Sequence, residues 1–171
     1  MACYAEGDGR AFPLLFGRYK DRLYRYFRRM CNDEEVAAEL CQDVWERVIR
    51  HRGRYDPSRR FSTYIFAIAH HRLVDHYRAQ RGKALEGIDE STEIGGQACV
   101  ERHAFSREQV ARFKEVLDGL PAAQREVFLL HEETRMSLRE MAEVIGVKPE
   151  TAKSRLRFAL RNLRKGMEGY L

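Results

Sequence analysis

The sequence predicts an all-α protein of two small helical domains joined by a flexible acidic linker, with a helix-turn-helix in the C-terminal domain. Three observations predict it. Apolar residues recur at steps of three and four along most of the chain, and no stretch alternates as a strand would. Residues 82–104 interrupt that rhythm with four glycines, five acidic side chains and few large apolar ones, a composition that cannot bury enough surface to fold alone. Ser137–Leu156 combines capping, turn and small packing residues at the spacing of two short helices set at an angle. A length of 171 residues accommodates two such units.

From the N-terminal side, Phe12, Leu15, Phe16, Tyr19, Leu23, Tyr26, Phe27 and Met30 trace one face of an amphipathic helix. Asn32 is expected to cap the next, with Glu35 as its box partner, and Val36, Leu40, Val44 and Val48 then repeat every fourth residue. Residues 51–60 hold Gly53, Pro57 and four arginines without periodicity, which reads as an exposed basic loop. Phe61, Ile65, Ile68, Ala69, Leu73 and Tyr77 trace a third stripe that ends near Gly82. Beyond the linker, Ser106 restarts a helix with Val110, Phe113, Val116 and Leu117, which Asp118-Gly119 closes. Pro121 opens another whose buried side is Val127, Phe128 and Leu130.

The helix-turn-helix follows. Ser137 and Glu140 form a capping box, Leu138, Met141, Ala142 and Ile145 face inward, and Gly146 permits the tight turn. Pro149 suits a first helical turn, and Ala152 is small enough for close helix approach. Leu156, Leu160 and Leu163 are expected inward. That leaves Thr151, Lys153, Ser154, Arg155, Arg157 and Arg161 for a DNA groove, which such a helix enters by its N-terminal part. A hairpin whose basic side is merely solvated is the competing reading.

Charge is unevenly distributed. Residues 1–81 carry 16 basic and 11 acidic side chains, residues 82–104 carry 2 and 5, and residues 135–165 carry 9 and 3. Two basic lobes around an acidic joint are the footprint of a polyanion binder. No apolar run reaches the roughly 20 residues of a membrane span, so no membrane insertion is expected, and the chain is expected in the cytoplasm. Cys3, Cys31, Cys41 and Cys99 form no C-x-x-C pair, which points to reduced thiols. His131-Glu-Glu-Thr-Arg135 lacks the second histidine of a zinc-protease helix. His70, His71 and Asp75 have helical metal-site spacing but read more simply as nucleic-acid-facing or half-buried side chains. No metal site, cofactor or enzymatic activity is expected.

Three stretches carry a family resemblance: Ala38-Glu-Leu-Cys-Gln-Asp-Val-Trp45; Phe61-Ser-Thr-Tyr-Ile-Phe-Ala-Ile-Ala-His-His71 running on to Asp75 and Tyr77-Arg78; and Leu120-Pro121 through Arg-Glu-Val-Phe128 to the helix-turn-helix. In that order the chain resembles an extracytoplasmic-function (ECF) RNA polymerase sigma factor over nearly its whole length. The resemblance implies a region 2 domain at 10–81 that binds core polymerase and melts the promoter −10 element. It also implies a linker at 82–104, and a region 4 domain at 105–168 that reads the −35 element.

By the same resemblance, Glu39, Gln42, Asp43 and Trp45 would contact the coiled coil of the polymerase beta-prime subunit, with Trp45 as core the other reading. Arg54, Arg59 and Arg60 would hold −10 phosphates, while Tyr64, His70, His71 and Arg78 line the nucleic-acid side near a base captured outside the stack. A solvated loop is the alternative there. Tyr64, Ala67, His70 and His71 depart from the residues usual in the family (Trp, Arg, Arg and Asn), which leaves promoter spelling open. Thr151, Lys153, Ser154, Arg155, Arg157 and Arg161 would read the −35 element, with the lobe on the polymerase beta flap. An anti-sigma protein is the further partner implied. The rival from another class is a freestanding helix-turn-helix regulator with a ligand-sensing or dimerising N-terminal domain.

Overall fold

The structure, a computed structural model, describes residues 1–84 and 107–170, so most of the expected linker, together with Cys99 and Ser106, lies outside the described residues. The described residues form eight α-helices and one short 3-10 turn, with no strand among them. They are α1 (Ala2–Ala5), α2 (Ala11–Cys31), α3 (Glu34–Arg50), α4 (Phe61–Ala84), α5 (Arg107–Asp118), α6 (Ala122–Thr134), α7 (Leu138–Val144) and α8 (Pro149–Gly166), the 3-10 turn being Arg52–Arg54.

In the N-terminal lobe, α2, α3 and α4 close over Leu23, Tyr26, Phe27, Val44, Val48, Ile65, Phe66 and Leu73. Asn32 adopts a left-handed conformation (φ 63°) that ends α2, and the cap of α3 falls one residue later. Asp33 accepts hydrogen bonds from the backbone N–H groups of Glu35 (2.9 Å) and Val36 (3.1 Å), so the expected Asn32–Glu35 box is replaced by an Asp33 cap. One residue cannot take a left-handed C-terminal turn and the extended N-cap conformation together. The short α1, not foreseen from periodicity, buries Tyr4 against Phe12 at 5.3 Å between ring centroids. The Arg52 guanidinium lies 5.7 Å from the Tyr4 ring, which ties α1 to the start of the basic loop.

In the C-terminal lobe the capping box of α7 is reciprocal: the Glu140 N–H donates to Ser137 Oγ (3.2 Å) and the Ser137 N–H to Glu140 Oε2 (2.8 Å). Gly146 takes φ 68°, and Pro149 opens α8. The inward stripe of α8 is Ala152, Leu156, Ala159 and Leu163. Leu160, expected inward, is exposed, because it follows Ala159 by about 100° around the helix and the stripe has already turned past it.

The two lobes lie against each other. α2 meets α6 and α4 meets α7, and one continuous apolar interior runs from Tyr26 and Phe66 to Leu129 and Met141. α6 is therefore buried on more than one side, from Arg125 through Leu130. Arg125 ties its surroundings by donating from Nη2 to the carbonyls of Asp118 (2.7 Å) and Leu120 (3.2 Å) and from Nη1 to that of Arg29 (3.5 Å).

Candidate nucleic-acid and polymerase interfaces

The second helix of the helix-turn-helix presents the charge its sequence carries. Thr151, Lys153, Arg157 and Arg161 are exposed, while Ser154 and Arg155 are half-buried. Steps of four place Lys153, Arg157 and Arg161 on one face. The guanidinium carbons of Arg157 and Arg161 lie 5.3 and 4.7 Å from the Phe158 ring centroid, which orders two of the three cations. Lys153 lies 3.8 Å from Glu150 at the helix start, and both are open to solvent.

The basic loop is built on local polar contacts. Asp56 Oδ1 accepts from the Ser58 N–H (2.9 Å), and bonding to Ser58, with Arg59 nearby, holds its carboxyl below the usual range. Tyr55 donates its hydroxyl to the Arg59 carbonyl at 2.5 Å, and its ring meets those of Phe61 and Tyr64 edge-on. Tyr64 is half-buried in that cluster; Arg54, His71 and Arg78 are exposed. His71 Nδ1 lies 2.7 Å from the Ala67 carbonyl one helical turn back.

Arg59, Arg60 and His70 are occupied by the other lobe. Arg59 Nη1 is 2.5 Å from Glu143 Oε1, Arg60 Nη1 is 3.2 Å from Glu140 Oε1, and His70 Nδ1 is 2.6 Å from Glu126 Oε1. The same Glu126 oxygen accepts the Tyr26 hydroxyl at 2.7 Å. Burial first, then the Glu126 charge, pushes the Tyr26 phenol well above its ordinary value. Glu133, two helical turns beyond Glu126, is held by Arg25 (Nη2 at 2.8 Å) and Arg29 (Nη1 at 3.4 Å), and its hydrogen bond raises the Arg25 pKa. The periodicity reading missed Glu126 and Glu133. The available signal was the unbroken Val127-Phe-Leu-Leu130 run beside them, wider than a single stripe and therefore the mark of a helix covered on several sides.

On α3, Glu39 and Gln42 are exposed, and Gln42 donates to Glu46 at 3.0 Å. Asp43 is half-buried and paired with Arg72 of α4. Trp45, expected as a polymerase contact, belongs to the core: it is 7% exposed and packs on Phe12 and Phe16 at 5.7 and 5.1 Å between ring centroids. The aromatic start of α2 widens the buried face of α3 beyond the Val44–Val48 stripe and takes in its neighbour. The Cys31 and Cys41 thiols are each pushed up to about 12 by burial, which leaves them protonated near neutral pH. Among the described residues no group of three His, Cys, Asp or Glu side chains could hold a metal ion, and no helix is long and apolar enough to cross a membrane.

Comparison with known proteins matches these two lobes in order. Residues 15–83 match the Sigma-70 region 2 family and residues 111–163 the Sigma-70, region 4 family. RNA polymerase sigma factor CarQ of Myxococcus xanthus is 28% identical over 96% of this chain and 94% of its own. ECF RNA polymerase sigma factor SigW of Bacillus subtilis is 25% identical over 94% and 90%. Among solved structures, CnrH in complex with the cytosolic domain of CnrY superposes with a TM-score of 0.70 at 25% identity, covering 98% of this chain and 94% of that one. The sigma factor RpoE bound to the anti-sigma factor NepR, from Bartonella quintana, has a TM-score of 0.76 at 18% identity, over 93% and 98%, and shares the fold. A freestanding regulator has no need of the N-terminal match, whereas both matches in this order are what a promoter-specificity subunit requires. The chain belongs to the ECF sigma factors, which bind core RNA polymerase and direct it to promoters.

Proposed function

We propose that this sigma factor divides its work between its lobes as follows. The N-terminal lobe, residues 10–81, binds the coiled coil of the polymerase beta-prime subunit through Glu39, Gln42 and Asp43, with Trp45 bracing α3 from within. Its loop and α4 hold the −10 element, with Arg54, Arg59 and Arg60 on phosphates and Tyr64, His70, His71 and Arg78 beside the separated strand. The C-terminal lobe, residues 105–168, reads the −35 element through Thr151, Lys153, Ser154, Arg155, Arg157 and Arg161 while resting on the beta flap, and residues 82–104 connect the two. The protein has no catalytic residues of its own and works in the cytoplasm, where polymerase and promoter are. An anti-sigma protein is its regulator, a reading supported by the partner-bound RpoE relative.

The observation that carries this reading is the exposed cationic face of α8, Lys153, Arg157 and Arg161, set directly behind the capping box and the Gly146 turn. Run-off transcription with purified core enzyme tests it. The Lys153→Ala, Arg157→Ala double variant is expected to bind core polymerase normally and to lose promoter-dependent transcript. Its duplex binding should show a log–log salt slope shallower by roughly 0.9 for each phosphate contact removed. Glu39→Lys with Asp43→Lys should lose core binding itself. Transcript unchanged by the first pair, or core binding unchanged by the second, refutes the corresponding assignment.

A further inference from the structure

The loop arginines assigned above to phosphate are placed in different ways. Arg59 and Arg60 each have an acid partner, whereas Arg54 is exposed and has no side-chain partner among the described residues. Where its guanidinium stands is therefore set by the backbone beneath it, the 3-10 turn Arg52–Arg54 that follows α3. Two backbone bonds hold that turn, from the Arg54 N–H to the His51 carbonyl (2.9 Å) and from the Tyr55 N–H to the Arg52 carbonyl (3.3 Å). Bonds of this kind are poorer in geometry than those of an α-helix, and Gly53 at the centre gives the turn more conformational freedom to lose than any other residue would. Left to itself the turn is weak.

What it leans on is α1. Tyr4 is 5% exposed, its ring lies 5.3 Å from that of Phe12, and Phe12 stands edge-on to Trp45 at 5.7 Å, so the Tyr4 ring is fixed to the start of α2 and to α3. The Arg52 guanidinium rests on that same ring. A cation placed over an aromatic face already held by its neighbours is attracted electrostatically, and only the arginine has to be ordered. The far end of the loop is secured without α1, by the Tyr55 hydroxyl on the Arg59 carbonyl and by the Tyr55 ring against Phe61 and Tyr64. We propose that Tyr4 is a positioning residue for promoter melting: acting through Arg52, it fixes the turn that presents Arg54 to the −10 strand. Tyr4 itself touches no DNA in this arrangement; its ring is the abutment against which the loop is set. This inference rests on the assignment of Arg54 to the −10 side.

The test uses the full chain, free and in reconstituted holoenzyme. Tyr4→Leu keeps an apolar side chain in place and removes the ring face, Tyr4→Phe keeps both, and Arg52→Gln removes the cation. In the free chain, hydrogen exchange at the Arg54 and Tyr55 amides reads the turn, with the amides of α2 and α3 as the reference. In holoenzyme, the fluorescence of 2-aminopurine within the −10 element reads the rate of melting. Tyr4→Leu and Arg52→Gln are each expected to speed exchange at those two amides and to slow melting about two- to five-fold, the range of an exposed cation–π contact, with affinity for core polymerase unchanged. The double variant should be no slower than the slower single one, and Tyr4→Phe should match wild type. Wild-type exchange or melting in Tyr4→Leu, a double variant whose losses multiply, or a Tyr4→Phe protein as impaired as Tyr4→Leu overturns the proposal. Exchange that quickens throughout α2 and α3 as well is loss of fold and also counts against a positioning role. Arg54→Ala separates the two levels. If it melts the promoter at the wild-type rate, the −10 assignment of Arg54 fails and the proposal with it. If it is slow while Tyr4→Leu is not, only the role of Tyr4 fails.

Discussion

Replacing Gly166 by alanine probes how firmly the DNA-reading helix is seated. Gly166 closes α8 against α5, and a Cβ there would lie 2.4 and 2.6 Å from the two γ-methyls of Val116 and 3.1 Å from its Cβ. Two methyls share three staggered positions, so every rotamer of Val116 leaves at least one of them against the new atom. Overpacking of this kind costs about 1–3 kcal/mol. The helix preference of alanine over glycine offsets at most about 1 kcal/mol of it, and less in a last turn. The expected net loss is about 1–2 kcal/mol, a fall of roughly 2–8 °C in Tm for a chain of this size. Val116→Ala removes both methyls, so the double variant should recover a coupling of about 1 kcal/mol or more. Urea unfolding followed by circular dichroism, with an unchanged m-value, measures all three variants. A Gly166→Ala protein of wild-type stability, or a coupling below about 0.5 kcal/mol, would refute the contact as described.

Two other outcomes follow from the titrating groups. Glu140 is held below its ordinary carboxylate value chiefly by the Ser137 N–H, then by the Ser137 hydroxyl and Arg60. A depressed folded value means that its contribution is complete above the unfolded value near 4.5 and is lost as pH falls through the lower, folded one. The stability difference between wild type and Glu140→Gln should therefore be constant at neutral pH and shrink on acidification below that point; a difference indifferent to acid would contradict it. Cys31 and Cys41, with thiols near 12, should resist iodoacetamide at pH 8 while the exposed Cys3 reacts, and should become reactive together on unfolding. Mass spectrometry of the alkylated chain reads this directly, and equal labelling rates in the folded protein would overturn it.

Helices with a single buried face were legible from their residues, because a stripe such as Val36, Leu40, Val44, Val48 needs only local periodicity. The capping box of Ser137 and Glu140 was legible for the same reason: both partners lie within one turn. Trp45 and Leu160 were misread together. Each adjoins a stripe, and whether a flanking residue is covered depends on what arrives from another helix: Phe12 and Phe16 over Trp45, nothing comparable over Leu160. The contact between lobes was less legible still. Pairs such as Arg25–Glu133 join residues 108 apart in the chain, and neither member is unusual among its own neighbours. The candidate DNA-facing residues could be named from pattern and resemblance, but their engagement by glutamates of the other lobe is a fact of tertiary structure alone.

The Arg125 fork has a mechanical corollary. Its two short arms end on the carbonyls of Asp118 and Leu120, which belong to the corner between α5 and α6, and its long arm ends on Arg29 at the far end of α2. Negative ends of two helix dipoles converge on one cation. Only the longest of the three bonds joins the halves, so the two that hold the corner between α5 and α6 do not depend on the contact with α2. Lysine at that position would supply the charge without the planar geometry, and the bend would lose its brace.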